Sequence, residues 1–161
     1  NTVNNEITYP GELYEESERN PVSFERKYDR KYVLLTGWVD AIKKESVTVQ
    51  SMYTMQSSTF GPTRQKGKIS CRIPTEKRES ILTLEIGQKV IFGGKVKFSS
   101  DSFMGNINLN HCIAVPINGP RFATSGLGAL MAMDQIQRQK QLTFMDMKKL
   151  LRKEIIGAPI E

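Results

Sequence analysis

The sequence predicts a mainly β fold with flanking helices: a small five-stranded barrel between an N-terminal helix and a C-terminal helical tail. Three observations lead there. Five segments between Lys31 and Val115 carry alternating or β-branched apolar residues, glycines interrupt the first and fourth of them, and one helical stretch separates the third from the fourth.

The opening residues to Pro10 are polar and Asn-rich and read as a loose arm. From Gly11 to Tyr28 the spacing is helical, with Leu13, Tyr14, Phe24 and Tyr28 as candidate buried contacts. Asn20 before Pro21 reads as an N-cap with proline in the first turn, so the pattern predicts a helix, a break near Asn20 and a second short helix.

Lys31 to Ile42 is the first strand, with Val33, Leu35, Gly37, Val39 and Ala41 on one face. Gly37 inside it marks the bend that lets one long strand serve both halves of a small barrel. Lys43, Lys44 and Glu45 form a polar turn into a second strand, Ser46 to Tyr53. Thr54 to Gly67 has Gly, Pro and Ser punctuation and no period, and is expected to be a long connection. Lys68 to Pro74 alternates as a third strand; Thr75 is then expected to cap a helix running through Ile81 and Leu84 to a stop at Gly87. Gln88 to Phe98, bent at Gly93 and Gly94, and Asn106 to Val115 complete the set, joined by a loop over Ser99 to Gly105.

Three strands, one helix and two strands, with glycine bends in the first and fourth, is the order of an OB-fold barrel. The plan is therefore residues 1–30 as an arm and helix packing on the barrel, 31–119 as the OB-fold domain, and 120–161 as a helical tail. In the tail Leu127, Leu130, Met131 and Ile136 recur at helical spacing, as do Phe144, Met147, Leu151 and Ile155. Thr143 with Asp146 reads as the start of a final helix that ends at Gly157.

Leu13 to Ile42 resembles the start of the bacterial tRNA-anticodon-binding-like OB family, in which an Asn-containing helix is followed by a Tyr, a short basic stretch and a strand of the form V-x-V-x-G-x-V. Tyr14, Asn20, Phe24, Tyr28, Lys31, Gly37, Val39 and Ile42 carry the likeness. They are mostly packing positions, so the resemblance implies a fold more than an activity. The Thr54 to Gly67 connection and the tail after Pro120 depart from the family pattern.

The composition, 39% hydrophobic and 25% charged with mean hydropathy −0.39 over 161 residues, is that of a globular protein. No apolar run approaches the roughly 20 residues of a membrane helix. The net charge of +6 tilts the expected partners toward polyanions. Its distribution matters more: acids outnumber bases up to Arg30, and bases outnumber acids two to one across 31–119.

OB barrels that bind single-stranded nucleic acid combine a basic groove with aromatic platforms on the middle strands and adjoining loops. On this chain that surface would present Lys43, Lys44, Tyr53, Phe60, Arg64, Lys66, Lys68, Arg72 and Phe103. Trp38 reads instead as core or as packed under the N-terminal helix, and Lys95 and Lys97 as a solvated strand face. The first functional expectation is non-enzymatic binding of single-stranded nucleic acid. The alternative is an adaptor or assembly module of a cell-envelope or mobile-element system, with Leu127, Leu130, Met131, Phe144, Met147 and Leu151 seating a protein partner or a second copy.

Enzymatic readings find little to build on. His111 has no nucleophile arrangement around it and reads as a strand histidine, and no carboxylate pair, phosphate-binding loop or dinucleotide fingerprint can be drawn. One histidine and two distant cysteines do not make a zinc site, so no metal and no cofactor is expected. Cys71 and Cys112 read as two small buried hydrophobes, with a disulfide as the alternative. That reading expects a reducing, cytoplasmic compartment; the opening residues show no charged-then-apolar leader, so a signal peptide is expected to be absent or already removed, with export after its removal as the alternative.

Overall fold

The computed structural model describes residues 9–56, 61–99, 106–118, 121, 127–137 and 149. Helices α1 (Pro10–Arg19) and α2 (Pro21–Tyr28) lead into strands β1 (Tyr32–Ile42), β2 (Ser46–Met55) and β3 (Thr63–Arg72). A 3-10 helix (Thr75–Thr83), β4 (Lys89–Ser99), β5 (Asn106–Pro116) and α3 (Leu127–Gln137) follow.

The five strands close into a ring in the order β1-β2-β3-β5-β4, antiparallel except where β3 meets β5. Closure requires β1 to serve two neighbours. Its first half pairs with β4, from Tyr32↔Lys95 to Trp38↔Lys89, and its second half pairs with β2, from Trp38↔Gln50 to Ile42↔Val47. Gly37 sits at the change of partner, where a Cβ would lie 2.8 Å from the carbonyl oxygen of Gln50. The inward residues of the ring, among them Leu35, Val39, Val49, Ile69, Phe92 and Leu109, form the main core.

Asn20 separates α1 from α2 as its sequence suggests. Its Oδ1 accepts from the Ser23 N–H at 3.1 Å, and Pro21 opens α2. Phe24 and Tyr28, four apart on α2, are buried in the main core, and Phe24 meets Phe98 edge to face at 4.9 Å. Glu16 ties the two helices together, accepting from Tyr28 Oη at 2.7 Å and from Lys27 Nζ at 3.0 Å.

Three sequence expectations are corrected. The connection expected over Thr54 to Gly67 is strand at both ends, at Thr54 and Met55 and from Thr63 to Gly67, because β2 and β3 pair without interruption out to Met55↔Thr63. Backbone ladders need no apolar alternation, so the polar run TRQKG pairs without announcing itself. The segment after Pro74 is a 3-10 helix with no side-chain cap from Thr75. Ser80 and Thr83 hydroxyls donate to the carbonyls three residues back, at 2.8 and 3.1 Å, which suits the tighter winding. Cys71 and Cys112 are both fully buried in strands, but they are joined by a disulfide.

His111 stands exposed on β5 with φ of 50°, at a bulge where the β4–β5 register jumps between Gly93 and Lys95. Opposite it, a Cβ on Gly94 would lie 2.8 Å from the Asn110 oxygen. Of the expected final helix only Lys149 is described, in helical conformation; its residues Phe144, Met147 and Leu151 fall outside the described residues, as do Phe60 and Phe103.

Candidate interaction site

Because β1 leaves β2 at Trp38, β2 beyond Gln50 keeps β3 on one side and has no strand partner on the other among the described residues. Backbone N–H groups along a strand point to alternate edges, so Met52 and Thr54, and Gln56 just past the end of β2, present theirs to the unpaired side. Side chains take all three. The Met52 N–H donates to Gln137 Oε1 at 2.9 Å, and Gln137 Nε2 donates back to the Met52 oxygen at 2.9 Å. The Thr54 N–H donates to Glu15 Oε1 at 2.9 Å, and the Gln56 N–H to Glu18 Oε1 at 3.1 Å.

Two helices deliver these groups. The start of α1 is wedged against β2: the Gly11 N–H donates to Ser51 Oγ at 2.7 Å, and a Cβ on Gly11 would stand 2.3 Å from the Met52 oxygen. Gly11→Ala therefore cannot keep α1 in place. The expected result is a loss of about 1–3 kcal/mol in urea unfolding, with Glu15 and Glu18 pulled off the strand edge. Further along α1, Tyr14 lies over Gly67 and Tyr53, its ring 5.6 Å from that of Tyr53, and its hydroxyl donates to the Lys68 oxygen at 2.6 Å. Helix α3 reaches the same edge from the far end. Met133 buries against Tyr9 and Trp38, Asp134 pairs with Arg64, and Gln137, one turn on, clamps Met52.

Burial governs the electrostatics here. The Glu12 carboxyl, at the first turn of α1, is pushed up to about 7, mainly by burial, with Glu15 adding and the Tyr9 backbone N–H opposing. Burial also raises the phenols of Tyr9, to about 12, and of Tyr14 and Tyr53, and lowers the Lys89 amine, which sits 5.4 Å from the Trp38 ring. For Glu12 the folded value lies above the ordinary 4.5, so folding takes up a proton between those limits. The stability tied to that proton is fully present below 4.5 and is lost as pH rises through 7. Glu12→Gln should accordingly flatten the dependence of Tm on pH, with a higher Tm than the parent at about pH 8 and no gain near pH 4; a parallel pair of curves would contradict the assignment.

Of the residues expected to face nucleic acid, Lys43 and Lys44 stand exposed in the β1–β2 turn. Tyr53 is 5% exposed beneath Tyr14. Arg64 is engaged by Asp134 and by Thr54 Oγ1, Lys68 by Asp40 at 3.1 Å, and Arg72 approaches Glu45 at 3.8 Å. Lys66 lies half-buried on β3 opposite Met52. The register therefore separates the set: Tyr53 shares the face of Gln65 and Gly67 beneath α1, while Arg64, Lys66 and Lys68 lie on the opposite face. Of the tail residues, Met131 is 63% exposed and Leu127 and Leu130 lie on α3.

Glu15, Glu18 and Gln137 were not singled out by sequence reasoning. Their only signal is spacing: Glu15 with Glu18, and Asp134 with Gln137, sit three apart and so share a helix face. A cavity of about 500 Å³ lies between α1 and the strand edge, lined by Glu15, Glu18, Arg19, Thr54 and Gln56. Among the described residues no group of three His, Cys, Asp or Glu is placed to hold a metal ion, and no helix is long and apolar enough to cross a membrane. No protein-family model matches the chain, and no curated protein matches it.

Proposed function

We propose that the closed sheet is an OB-type barrel and that the protein is a non-catalytic interaction module, docking an extended segment of a partner protein along the β2 edge from Met52 to Gln56. The observation that carries this reading is the edge itself, whose outward backbone groups are met by side chains of two helices where a strand would otherwise pair. An unpaired edge is a template for strand addition, with main-chain hydrogen bonds supplying affinity. The buried disulfide supports a place in an oxidising compartment, and with it the cell-envelope setting rather than the cytoplasm.

Thr54→Pro removes one outward N–H at a position where an edge tolerates proline. Proteins retained from the source cell's envelope fraction by the parent should be lost with Thr54→Pro, while far-UV circular dichroism stays unchanged. Equal retention by both would contradict docking at this edge.

A second reading, binding of single-stranded nucleic acid, is favoured by Lys43 and Lys44, which project together from an exposed turn in a chain of net charge +6. It expects affinity for labelled single-stranded DNA or RNA that falls steeply with salt, and a salt slope reduced by about 2 in the double variant Lys43→Gln, Lys44→Gln. Absence of binding at low salt removes this reading.

A further inference from the structure

We infer that α3 is a displaceable latch in which Gln137 stands in for one residue of a strand, and that the segment replacing it is extended and carries Lys or Arg at alternate positions. This rests on the β2-edge reading above and names both the regulation and the partner class of that edge.

The latch follows from the chemistry of the clamp. The Gln137 amide accepts from the Met52 N–H and donates to the Met52 oxygen, which is the pair of bonds that a facing residue exchanges in an antiparallel ladder. A peptide can reproduce both bonds, so Met52 stays paired when a strand takes the place of α3, while the Arg64–Asp134 pair is given up. The apolar part is replaceable in the same way: Met133 covers Tyr9 and Trp38, and one apolar side chain of an incoming strand can take its place.

The charge preference follows from what lies further along. Glu15 and Glu18 meet Thr54 and Gln56 with carboxylates, and a peptide carbonyl arriving at either N–H turns the carboxylate from a cap into the partner of a cation. Among the described residues, the cavity beside this stretch is lined by those two carboxylates and the guanidinium of Arg19. A segment alternating apolar residues with Lys or Arg fits both requirements, and one alternating with Glu meets repulsion at two successive positions.

The probe is a fluorescent octapeptide of alternating Val and Lys, with a Val/Glu octapeptide as control, titrated by anisotropy into the full chain. Two variants open the latch: Gln137→Met keeps side-chain volume and removes both hydrogen bonds, and Gln137→Ala removes both outright. Each should bind the Val/Lys peptide about tenfold tighter than the parent, the equivalent of one to two hydrogen bonds no longer competing. The pair Glu15→Gln, Glu18→Gln keeps an acceptor at each N–H and removes the charge, and should abolish the preference for Lys over Glu. Equal binding of the two peptides by the parent, or unchanged affinity in both Gln137 variants, overturns the inference while leaving the edge reading intact. Absence of binding to parent and variants alike overturns both.

Discussion

Replacing Cys71 and Cys112 together by alanine is expected to lower stability by about 4 kcal/mol, from the chain entropy restored to an unfolded state no longer closed across 41 residues. The position of the bond makes that loss consequential. It links β3 to β5, the parallel seam where the register runs only over Ser70↔Asn108 and Cys71↔Leu109. Parallel pairing is slightly weaker per residue than antiparallel pairing, so the disulfide closes the ring at its shortest ladder. Set against a typical total of about 5–15 kcal/mol, the loss leaves a marginal protein. Urea unfolding of the double variant, and of the parent under dithiothreitol, measures it. A midpoint unchanged in both would mean that the bond adds nothing to stability.

Trp38→Ala is expected to cost about 3–5 kcal/mol, the range for truncating a large aromatic in a packed site. Trp38 is fully buried, with the Tyr9 ring stacked on it at 5.9 Å and Met133 against it, and it lies where β1 changes partner from β4 to β2. Its loss strikes the sheet and both helices at once. Beyond the fall in stability, α3 should loosen, seen as faster amide exchange at Met52 than global unfolding allows. Trp38→Phe, which keeps a ring under Tyr9, should lose less than half as much. Equal losses from the two variants would mean that the stacking geometry has no part in holding α3.

Much of the ring was legible in the residues. Gly37 within a run of Val, Leu and Trp betrayed a strand with two partners, and Asn20 with Pro21 fixed the break between α1 and α2, because backbone bends and caps demand particular residue types. The early start of β3 was hidden: Thr63 to Gly67 pairs through its backbone, and Gly67 is glycine because Tyr14 lies on it, a contact from far away in sequence. The disulfide was hidden for the same kind of reason. Whether two isolated cysteines meet depends on how β3 and β5 register, and no local pattern records that. The strand edge was least visible of all. Glu15, Glu18 and Gln137 look like solvated helix residues, and only the divergence of β1 from β2 gives their acceptors something to meet. The aromatic and basic residues read as a nucleic-acid surface carried real pattern, but the helix that covers Tyr53 comes from the segment read as an arm and packing helix.

Residue-resolved amide exchange with and without the Val/Lys octapeptide tests the strand-edge account most directly. Added strand pairing predicts that Met52, Thr54 and Gln56, whose N–H groups face the unpaired side, become more protected, while Tyr53 and Met55, already bonded toward β3, stay as they were. Protection confined to the Lys43–Lys44 turn, or spread evenly over both sets of amides, would contradict it.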